Sequence, residues 1–426
     1  MVNGIFTLDD VDVEGKTILA RFDMNSPLDP STKLPRDITR IQYSLPTLEE
    51  LSTKGAKTII LIHQGGDPEY HNYGSTEPHA RIIGELLGRN ILYVDDVCGE
   101  AAREKIKNLQ NGEILMLENV RFLAEELNLF ENKLKLTPEE QTQTLLVRKL
   151  APLADLYVSD AFAASHRSQP SLVAFEELLP SAIGRLFEKE LASLNRILQN
   201  PERPCIFVLG GAKIEDAFMM MTKVLKEQLV DAVLTTGLVS NVMTMARGIA
   251  LGGPSEEIIK KRNLLGLVET AREFLAAFGD KIMLPVDFAY PLDGKRHEID
   301  VHQLPAEHPL LDIGSKTVGQ YAKRIAEAKV IFFNGPAGVF EKEETEYGTK
   351  MIMTAIARSD AFSAVGGGES ISAVNKYHLG DQISYISTGG GALIRFLSGE
   401  ELPVIKALKK SAQRFPCPRA ISSMPH

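Results

Sequence analysis

The sequence is poor in cysteine and lacks long apolar runs. Its three cysteines, Cys98, Cys205 and Cys417, are too few and too scattered for a disulfide framework or a zinc ribbon, and they predict a reducing, cytoplasmic environment. No stretch approaches the ~20 consecutive apolar residues that cross a bilayer. The start of the chain turns acidic at Asp9, which is unlike a signal peptide. We therefore expect neither a membrane partner nor secretion.

Positive charge is also in short supply. Lys and Arg number 47 against 56 Asp and Glu, so the net charge of the 426 residues is −9. That balance argues against a nucleic-acid partner, although it permits a local basic patch for a small anion. The hydrophobic fraction of 44% with 24% charged residues excludes global disorder. The length predicts two or three domains.

Short apolar, β-branched runs recur along the whole chain and are typical of strands buried on both faces. Helical patterns separate them, beginning near Ile41, Lys189, Lys213, Ser255 and Lys316, and after Thr137 as a candidate N-cap. This alternation predicts a doubly wound, Rossmann-like α/β fold with parallel sheets. The predicted strands are KTILARFDM, KTIILIHQ, ILYVDD, EILMLENV, DLYVSDAF, PCIFVLGG, DAVLTTG, KIMLPVDFA, KVIFFNG, AFSAVGGG and ISYISTGG.

So many strands exceed one twisted sheet and favour two parallel-sheet domains. The divider is FEELLPSAIGRLFEKELASLNRILQNPERP, in which Pro180 and Gly184 precede a long amphipathic helix. We predict an N-terminal domain over 1–175, an interdomain helix over 176–200 that acts as a hinge, and a C-terminal domain over 201–402. An ordinary surface helix at 176–200 is the alternative.

Polar residues follow the strands of the first half, where ligands bind in open α/β sheets. They are Arg21, Asp23, Asn25, His63, Arg121, His166 and Arg167, with Arg40 at a helix start. Arginine binds carboxylate and phosphate through two parallel hydrogen bonds, so this half predicts a site for a small anion. Each arginine taken alone is better explained as an ordinary surface residue, and it is the recurrence of Arg and His at corresponding strand ends that favours a site.

The strands of the second half end in glycine instead. Glycine lets backbone N–H groups approach a phosphate, and the helix that follows favours the anion. Lys213 adds a charge, and Glu369 is a candidate ligand for Mg²⁺ on nucleotide phosphates. Neither GxxxxGK[ST] nor GxGxxG occurs, and any single glycine pair can be a plain turn. An anion half and a nucleotide half together predict phosphoryl transfer by domain closure. The glycine-rich ends are GGAK, TTG, FNGPAGVFE, GGGES and STGGGA.

These segments together resemble the phosphoglycerate kinase family, and most closely its archaeal branch. The matching stretches occur in the family's order from about residue 18 to 400. They are RFDMNSPL, ITRIQYSLPTLEEL, LIHQG, LMLENVRF, SDAFAASHRS, EKEL, VLGGAKIED, LPVDF, LDIGSKT, FNGPAGVFE, GGGES and STGGGA.

The resemblance implies reversible phosphoryl transfer between 1,3-bisphosphoglycerate with ADP and 3-phosphoglycerate with MgATP, in glycolysis and gluconeogenesis. It implies Arg40 and Lys213 as catalytic residues, Glu369 as the metal ligand, Lys189 near a domain interface, and a tail over 403–426 that packs on the N-terminal domain. The implied glycerate site comprises Asp23, Met24, Asn25, Arg40, His63, Gln64, Gly65, Gly66, Arg121 and Arg167. The implied nucleotide site comprises Gly211, Lys213, Gly237, Asn334, Pro336, Glu341, Gly367, Gly368, Glu369 and Ser370.

Four positions depart from the family's pattern. Gly66 stands where an arginine is usual, and Arg36 or Arg81 are candidates to replace that cation. Gln169 replaces a histidine, Ala217 replaces a second lysine, and Glu369 replaces an aspartate.

Three hypotheses follow: an active phosphoglycerate kinase, a paralogue that binds without turnover or uses another acyl phosphate, and a non-catalytic interaction protein. The oligomer is a monomer or a homodimer, and Cys205 is expected in the core rather than in catalysis.

Overall fold

The computed structural model describes residues 1–66 and 72–416. Cys417 and the last part of the predicted tail lie outside the described residues. The chain divides into two compact units, Met1–Ala192 with the segment that begins at Glu401, and Ser193–Glu400. We call them the first and the second unit. Their boundary falls inside the helix Arg185–Leu198, whereas the sequence suggested limits at 175 and 200.

The first unit contains a parallel sheet whose strands are ordered β1-β7-β6-β2-β3-β5-β4. The central strand β2 is buried from Ile18 to Phe22 because helices cover both faces of the sheet. Hydrophobic clusters lie on each face. The strands are β1 (Phe6–Thr7), β2 (Thr17–Phe22), β3 (Lys57–Leu61), β4 (Leu92–Tyr93), β5 (Ile114–Met116), β6 (Leu156–Asp160) and β7 (Ser181–Ile183).

Helices connect these strands. They are α1 (Thr39–Thr53), α2 (Glu77–Leu87), α3 (Glu100–Lys107), α4 (Asn128–Leu134), α5 (Pro138–Gln141), α6 (Leu145–Leu150), α7 (Pro170–Val173) and α8 (Arg185–Leu198). Short 3₁₀ helices span Val120–Phe122, Ala124–Glu126, Ala151–Leu153, Phe162–Ala164 and Phe175–Glu177.

The second unit contains a parallel sheet in the order β10-β9-β8-β14-β15-β16, and a three-stranded antiparallel sheet in the order β12-β11-β13. The strands are β8 (Cys205–Leu209), β9 (Ala232–Thr235), β10 (Ile282–Met283), β11 (Asp287–Leu292), β12 (Lys295–Asp300), β13 (Asp312–Ile313), β14 (Val330–Asn334), β15 (Phe362–Gly366) and β16 (Tyr385–Ile386). Cys205 is fully buried in β8, as expected of a core residue.

The helices of the second unit pack on its larger sheet around a core that includes Tyr321 and Phe333. They are α9 (Ile214–Lys226), α10 (Gly237–Ala246), α11 (Gly253–Lys261), α12 (Leu267–Phe278), α13 (Ser315–Glu327), α14 (Tyr347–Ala357), α15 (Gly368–Lys376) and α16 (Gly391–Leu397). Its 3₁₀ helices span Val301–Gln303, Glu343–Thr345 and Gly380–Gln382.

The last described helix, α17 (Pro403–Arg414), belongs to the first unit. Its apolar face, which includes Val404 and Leu408, is buried. At its rim, Lys410 Nζ lies 3.0 Å from Glu177 Oε1 and Arg414 Nη1 lies 2.6 Å from Glu177 Oε2.

The doubly wound α/β fold class is confirmed: both larger sheets are parallel. One predicted strand is divided. KIMLPVDFA becomes β10 and β11 in different sheets, and Pro285, which has no N–H to donate to a neighbouring strand, lies between them. One predicted helix is also divided. Thr137 forms the expected capping box with Glu140, but α5 ends at Gln141 and the chain becomes helical again only in α6, from Leu145.

Among the helices of the described ranges, none combines the length and the apolar character that crossing a membrane requires.

Candidate functional site

In the first unit, the predicted ligand residues follow the carboxyl ends of four parallel strands. Asp23 and Asn25 follow β2, and His63 follows β3. Arg121 lies in the 3₁₀ helix after β5, and Arg167 lies in the turn after β6. Because β2 is paired with both β3 and β6, its end is where ligands bind in a doubly wound sheet.

Arg40 and Asp23 form an ion pair at this edge. Arg40 is near the start of α1, and its Nη1 lies 2.8 Å from Asp23 Oδ1. Burial acts to raise the pKa of Asp23, but Arg40, His63 and Arg21 outweigh it and hold that pKa below its usual range. The Arg40 side chain is 37% exposed, so its guanidinium is both oriented by a carboxylate and open to a ligand.

The turn after β3 is held in place by hydrogen bonds. Gly65 N–H donates to Asn25 Oδ1 at 2.9 Å. Gln64 is clamped at its backbone by Asn119, whose Nδ2 donates to Gln64 O at 2.8 Å. Gln64 Nε2 also donates to Ser26 O at 2.7 Å. Gln64 is therefore a buried support for the turn, and Asn119 is a supporting residue that the sequence motifs did not single out.

Met24 differs from the other predicted glycerate residues. Its side chain is fully buried in the hydrophobic cluster under the sheet. Only the backbone of Met24 is therefore available to a ligand.

The guanidinium of Arg121 lies beside Gly66, where the family usually has an arginine. Arg121 Nη1 donates to Gly65 O, and a Cβ atom at position 66 would stand 3.1 Å from the same Nη1. Arg36 pairs with Asp29 at 3.6 Å and Arg81 pairs with Glu85 at 3.3 Å, and both side chains are exposed. In residues 1–66 and 72–416 neither forms a bond with this site.

Arg167 is positioned by an asparagine that sequence analysis missed. Arg167 Nη1 donates to Oδ1 of Asn128, the first residue of α4, and Gln169 Nε2 donates to the same oxygen at 3.3 Å. Gln169, which departs from the family's histidine, is buried. It therefore supports Arg167 through Asn128.

Positive charges crowd together in this part of the first unit. Burial, together with Arg167 and Arg21, lowers the pKa of Arg121 to about 10. Burial also lowers the pKa of His63 well below its usual value, with Arg121 contributing. Such mutual repulsion is relieved when an anion binds, because the anion attracts every cation in the cluster.

In the second unit, glycine-rich turns follow the central strands and touch through their backbones. Gly211 N–H donates to Pro336 O at 2.8 Å, and Gly237 N–H donates to Ala337 O at 3.0 Å. Gly335 has φ +86°, and a Cβ atom there would stand 2.8 Å from Gly211 N. Only glycine fits this approach.

Four helices begin directly beyond these turns, namely α9, α10, α15 and α16. Their N-termini present the positive ends of the helix dipoles, although in α10 the first two N–H groups, of Gly237 and Leu238, already donate to Ala337 O and Gly211 O. Lys213 is exposed at the N-cap of α9. Ala217, which replaces the family's second lysine, is buried one turn later, so Lys213 is the exposed cation at the start of this helix.

A cavity of about 530 Å³ opens beside the glycine turns. Five of the predicted nucleotide residues line it: Gly211, Gly237, Pro336, Glu341 and Glu369. Sequence analysis assigned no role to the other wall residues. Asn241, Ile258 and Leu310 lie outside the quoted motifs, whereas Leu311 lies in LDIGSKT and Phe340 lies in FNGPAGVFE.

The remaining predicted nucleotide residues do not line the cavity. Ser370 is buried, and its Oγ accepts a hydrogen bond from Gly335 N at 2.8 Å. Asn334 Oδ1 packs against Gly367, and Gly368 begins α15. These residues shape the turn. Lys213 and Gly368 are exposed at the starts of their helices.

Asp312 is an acidic residue in the cavity wall; it lies in the quoted stretch LDIGSKT, but sequence analysis gave it no role. Its Oδ2 accepts from Arg296 Nη1 at 2.8 Å and from Gly348 N at 2.7 Å. Burial raises the pKa of Asp312 to about 6 despite these bonds. Asp312 thus ties the cavity wall to β12 and α14.

The residues described offer no cluster of three or more His, Cys, Asp or Glu that would hold a metal ion alone. Glu369 Oε2 lies 3.5 Å from the Cβ position of Gly211, at the mouth of the glycine turns. A single carboxylate in this place suits Mg²⁺ that takes its other ligands from phosphate oxygens and water.

Lys189, the remaining residue that the resemblance singled out, is exposed on α8.

Comparisons with known proteins agree with one another. The family model "Phosphoglycerate kinase" matches residues 8–400. A phosphoglycerate kinase of Methanothermobacter thermautotrophicus is 46% identical over 405 residues, which cover 95% of this chain and 97% of that protein. One from Thermococcus kodakarensis is 45% identical and covers 96% and 98%. The crystal structure of phosphoglycerate kinase from Pyrococcus horikoshii matches with a TM-score of 0.85 at 43% identity, covering 96% of this chain and 100% of that one.

Proposed function

The chain belongs to the phosphoglycerate kinase family, and from this premise we propose that its first unit binds the glycerate and its second unit binds the nucleotide. The enzyme catalyses reversible transfer of a phosphoryl group between 1,3-bisphosphoglycerate with ADP and 3-phosphoglycerate with ATP, a step of glycolysis. The match over residues 8–400 is the observation that carries this conclusion.

The arginine-rich edge of the first unit supports the proposed glycerate site. Asp23 orients Arg40, Asn128 orients Arg167, and Gly65 O holds Arg121. Pre-oriented guanidinium groups bind carboxylate and phosphate without first reorganising. In our proposal Arg121 and Arg167 bind the 3-phosphate, and Arg40 neutralises charge on the group being transferred.

The cavity of the second unit supports the proposed nucleotide site. Its apolar wall, with Leu311 and Phe340, suits a flat base, while Glu341 at its rim suits a ribose hydroxyl. The N-termini of α9 and α15 and the side chain of Lys213 suit the phosphates. Glu369 would hold Mg²⁺, which when bound draws charge off the phosphate oxygens.

A phosphoryl transfer of this kind needs no protein nucleophile, because positioning and charge neutralisation lower the barrier. We accordingly assign Arg40 and Lys213 as the catalytic residues.

In-line transfer after domain closure, a cytoplasmic location and a monomeric or homodimeric state are parts of the same proposal. The buried free thiols of Cys98 and Cys205 support the location.

The Arg40→Ala variant tests the division of labour. We expect turnover with ATP and 3-phosphoglycerate in a coupled assay to fall by at least about a thousandfold, because an unmatched charge in the transition state is expensive. Affinity for MgADP, measured by calorimetry, should change by less than about twofold, a negligible free energy. The matched control is Arg148→Ala on the exposed face of α6. Parallel loss of turnover and of MgADP affinity in Arg40→Ala would contradict the assignment.

A further inference from the structure

Arg21 is a fully buried arginine on β2, next to the proposed glycerate site. Its side chain has 0% exposure. It uses three separate donors: Nε–H to Ser171 Oγ at 2.9 Å, Nη1–H to the carbonyl of Phe22, and Nη2–H toward His63 Nδ1 at 3.1 Å. Each of the three guanidinium nitrogens therefore has a partner within the protein.

The contact with His63 determines where the imidazole carries its proton. A guanidinium has no acceptor, so His63 Nδ1 must accept and cannot bear hydrogen. The proton of a neutral ring is then on Nε2. No group among residues 1–66 and 72–416 forms a hydrogen bond with Nε2. Nε2 is also absent from the fully buried atoms that lack a partner, so it is accessible to solvent and to a ligand.

The surroundings of His63 favour the neutral ring. Arg21, Arg121 and Arg167 place positive charge around it, and Asp23 is the opposing negative group. Burial and the three cations outweigh that carboxylate and keep the pKa of His63 far below neutrality. A neutral imidazole has one donor and one acceptor nitrogen, so the tautomer decides what the open nitrogen offers.

We propose that Arg21 is a positioning residue that touches no ligand and holds His63 in its Nε2–H tautomer, so that the nitrogen left open is a hydrogen-bond donor. The ligand group it fits is an oxygen acceptor, such as a carboxylate, hydroxyl or phosphate oxygen. This inference rests on the proposed function and deepens it, because it gives His63 a defined role toward the glycerate.

A chain of hydrogen bonds holds the guanidinium itself. Ser171 Oγ donates to Glu126 Oε2 at 2.7 Å and so presents a lone pair to Arg21 Nε–H. Ser171 N–H donates to Glu126 Oε1 at 2.6 Å. Glu126 ends the 3₁₀ helix that follows Arg121, and Ser171 is in α7, which follows Arg167. The chain thus links His63 to the segments that carry both arginines.

Nitrogen-15 NMR of the full-length protein without ligand tests the tautomer directly. His63 is labelled with the other histidines and assigned by its loss in His63→Gln. We expect wild type to show the neutral Nε2–H form from pH 6 to 8. Arg21→Met, which removes donor and charge, should give mixed tautomers and a titration of His63 in that range, while Arg21→Lys should partly restore the wild-type signal. An Nδ1–H form or an imidazolium in wild type would overturn the proposal.

A double-mutant cycle tests whether Arg21 acts through His63. Arg21→Met is expected to raise the KM for 3-phosphoglycerate about tenfold, the value of one hydrogen bond, with kcat and the KM for ATP nearly unchanged. In the His63→Gln background the same change should cost under about twofold. An undiminished cost there would overturn the proposal.

Ser171→Ala is a second variant for the case in which Arg21→Met does not fold. It keeps the buried Arg21 cation and removes only the hydroxyl that accepts from Arg21 Nε. We expect mixed tautomers and a smaller rise in KM, and an unchanged tautomer with unchanged KM would count against the inference. If wild type fails to turn over 3-phosphoglycerate, the proposed function fails, whereas the tautomer measurement still decides the role of Arg21.

Discussion

At the scale of single residues, burial and neighbouring charge set the properties of each carboxyl group in the first unit. Glu126 and Asp160 are both fully buried, and burial raises the pKa of each to about 7. Asp23 is nearly as buried, yet its pKa is lowered because Arg40, His63 and Arg21 face it. The pKa of a buried carboxyl group is thus raised or lowered according to the charges that face it.

Glu176 gives a pH-dependent prediction. Burial, with a smaller effect of Glu177, raises its pKa well above the usual value of 4.5. The folded chain keeps a proton that the unfolded chain releases, so the stability that the neutral carboxyl contributes is complete below pH 4.5 and is lost as pH rises toward the folded pKa. Glu176→Gln removes this loss. Relative to wild type, its free energy of unfolding should rise as pH increases above 4.5, by at most about 1.4 kcal/mol per pH unit, until the pH reaches the folded pKa.

Urea titrations of wild type and Glu176→Gln across that pH range measure the effect. The control is Glu257→Gln, since the exposed Glu257 has its pKa lowered by Lys261 and any difference should have the opposite sign. A difference for Glu176→Gln that stays flat with pH would show that its carboxyl is ionised in the folded state.

At the scale of elements, the start of α8 shows how distant residues decide where a helix begins. Arg185 N–H donates to Thr47 Oγ1 at 2.8 Å, and Phe187 N–H donates to Asp160 Oδ1 at 2.9 Å. Thr47 is in α1 and Asp160 ends β6. These groups satisfy the free N–H groups of the first turn in place of a local cap. The pattern near Lys189 therefore predicted the helix but placed its start about one turn late.

Gly184, just before α8, is required by the same arrangement. A Cβ atom there would overlap the carboxyl group of Asp160 and stand 2.6 Å from its Oδ1. We expect Gly184→Ala to lower the free energy of unfolding by about 1–3 kcal/mol, the usual cost of overpacking. The double variant Gly184→Ala with Asp160→Ala should cost less than the sum of the two changes, because the overlap disappears.

Chemical denaturation of the four proteins measures this coupling. The matched control is Gly319→Ala in the interior of α13, where nothing lies within 4 Å, and it should raise stability by up to about 1 kcal/mol. Full additivity in the Gly184 and Asp160 cycle would mean that the two residues do not conflict.

The elements that the sequence predicted well are those with a strong local pattern. Buried runs such as Thr17–Phe22 and Cys205–Leu209 are strands, and Thr137 caps its helix. β1, β7 and β13 were missed. β4 and β16 are as short, but they lie in the longer apolar runs ILYVDD and ISYISTGG, which made them predictable. β12 was missed because its residues are exposed or half-buried and polar.

The candidate site divides in the same way. The residues that follow strands, such as His63 and Gly211, were predictable because sheet topology places strand ends together. Asn119, Asn128 and Ser171 act by supporting those residues, and their roles depend on contacts across the fold. No spacing in the sequence encodes such contacts.

At the scale of the whole molecule, overall charge does not describe the local site. The chain carries −9 in total, yet Arg21, Arg40, Arg121 and Arg167 gather around two buried carboxylates, Asp23 and Glu126. A net negative protein attracts a small anion only where such clustering reverses the local potential. The net charge argued against a polyanion partner but was compatible with a local site for a small anion.

The return of α17 to the first unit gives the last prediction. Leu408 is fully buried on its apolar face, whereas Lys410 is 43% exposed and pairs with Glu139 and Glu177. We expect Leu408→Ala to lower the free energy of unfolding by about 2–4 kcal/mol. Lys410→Ala should cost under about 1 kcal/mol, because solvent weakens exposed ion pairs.

Scanning calorimetry with separate ligands locates the loss. Because α17 packs in the first unit, 3-phosphoglycerate should recover part of the stability that Leu408→Ala loses, by binding the folded form of that unit. Affinity for MgADP should stay within about twofold of wild type, a negligible change in free energy. If Lys410→Ala costs as much as Leu408→Ala, the ion pairs rather than the apolar face hold α17. If Leu408→Ala weakens MgADP binding as much as glycerate binding, the two units do not fold and bind as separate sites.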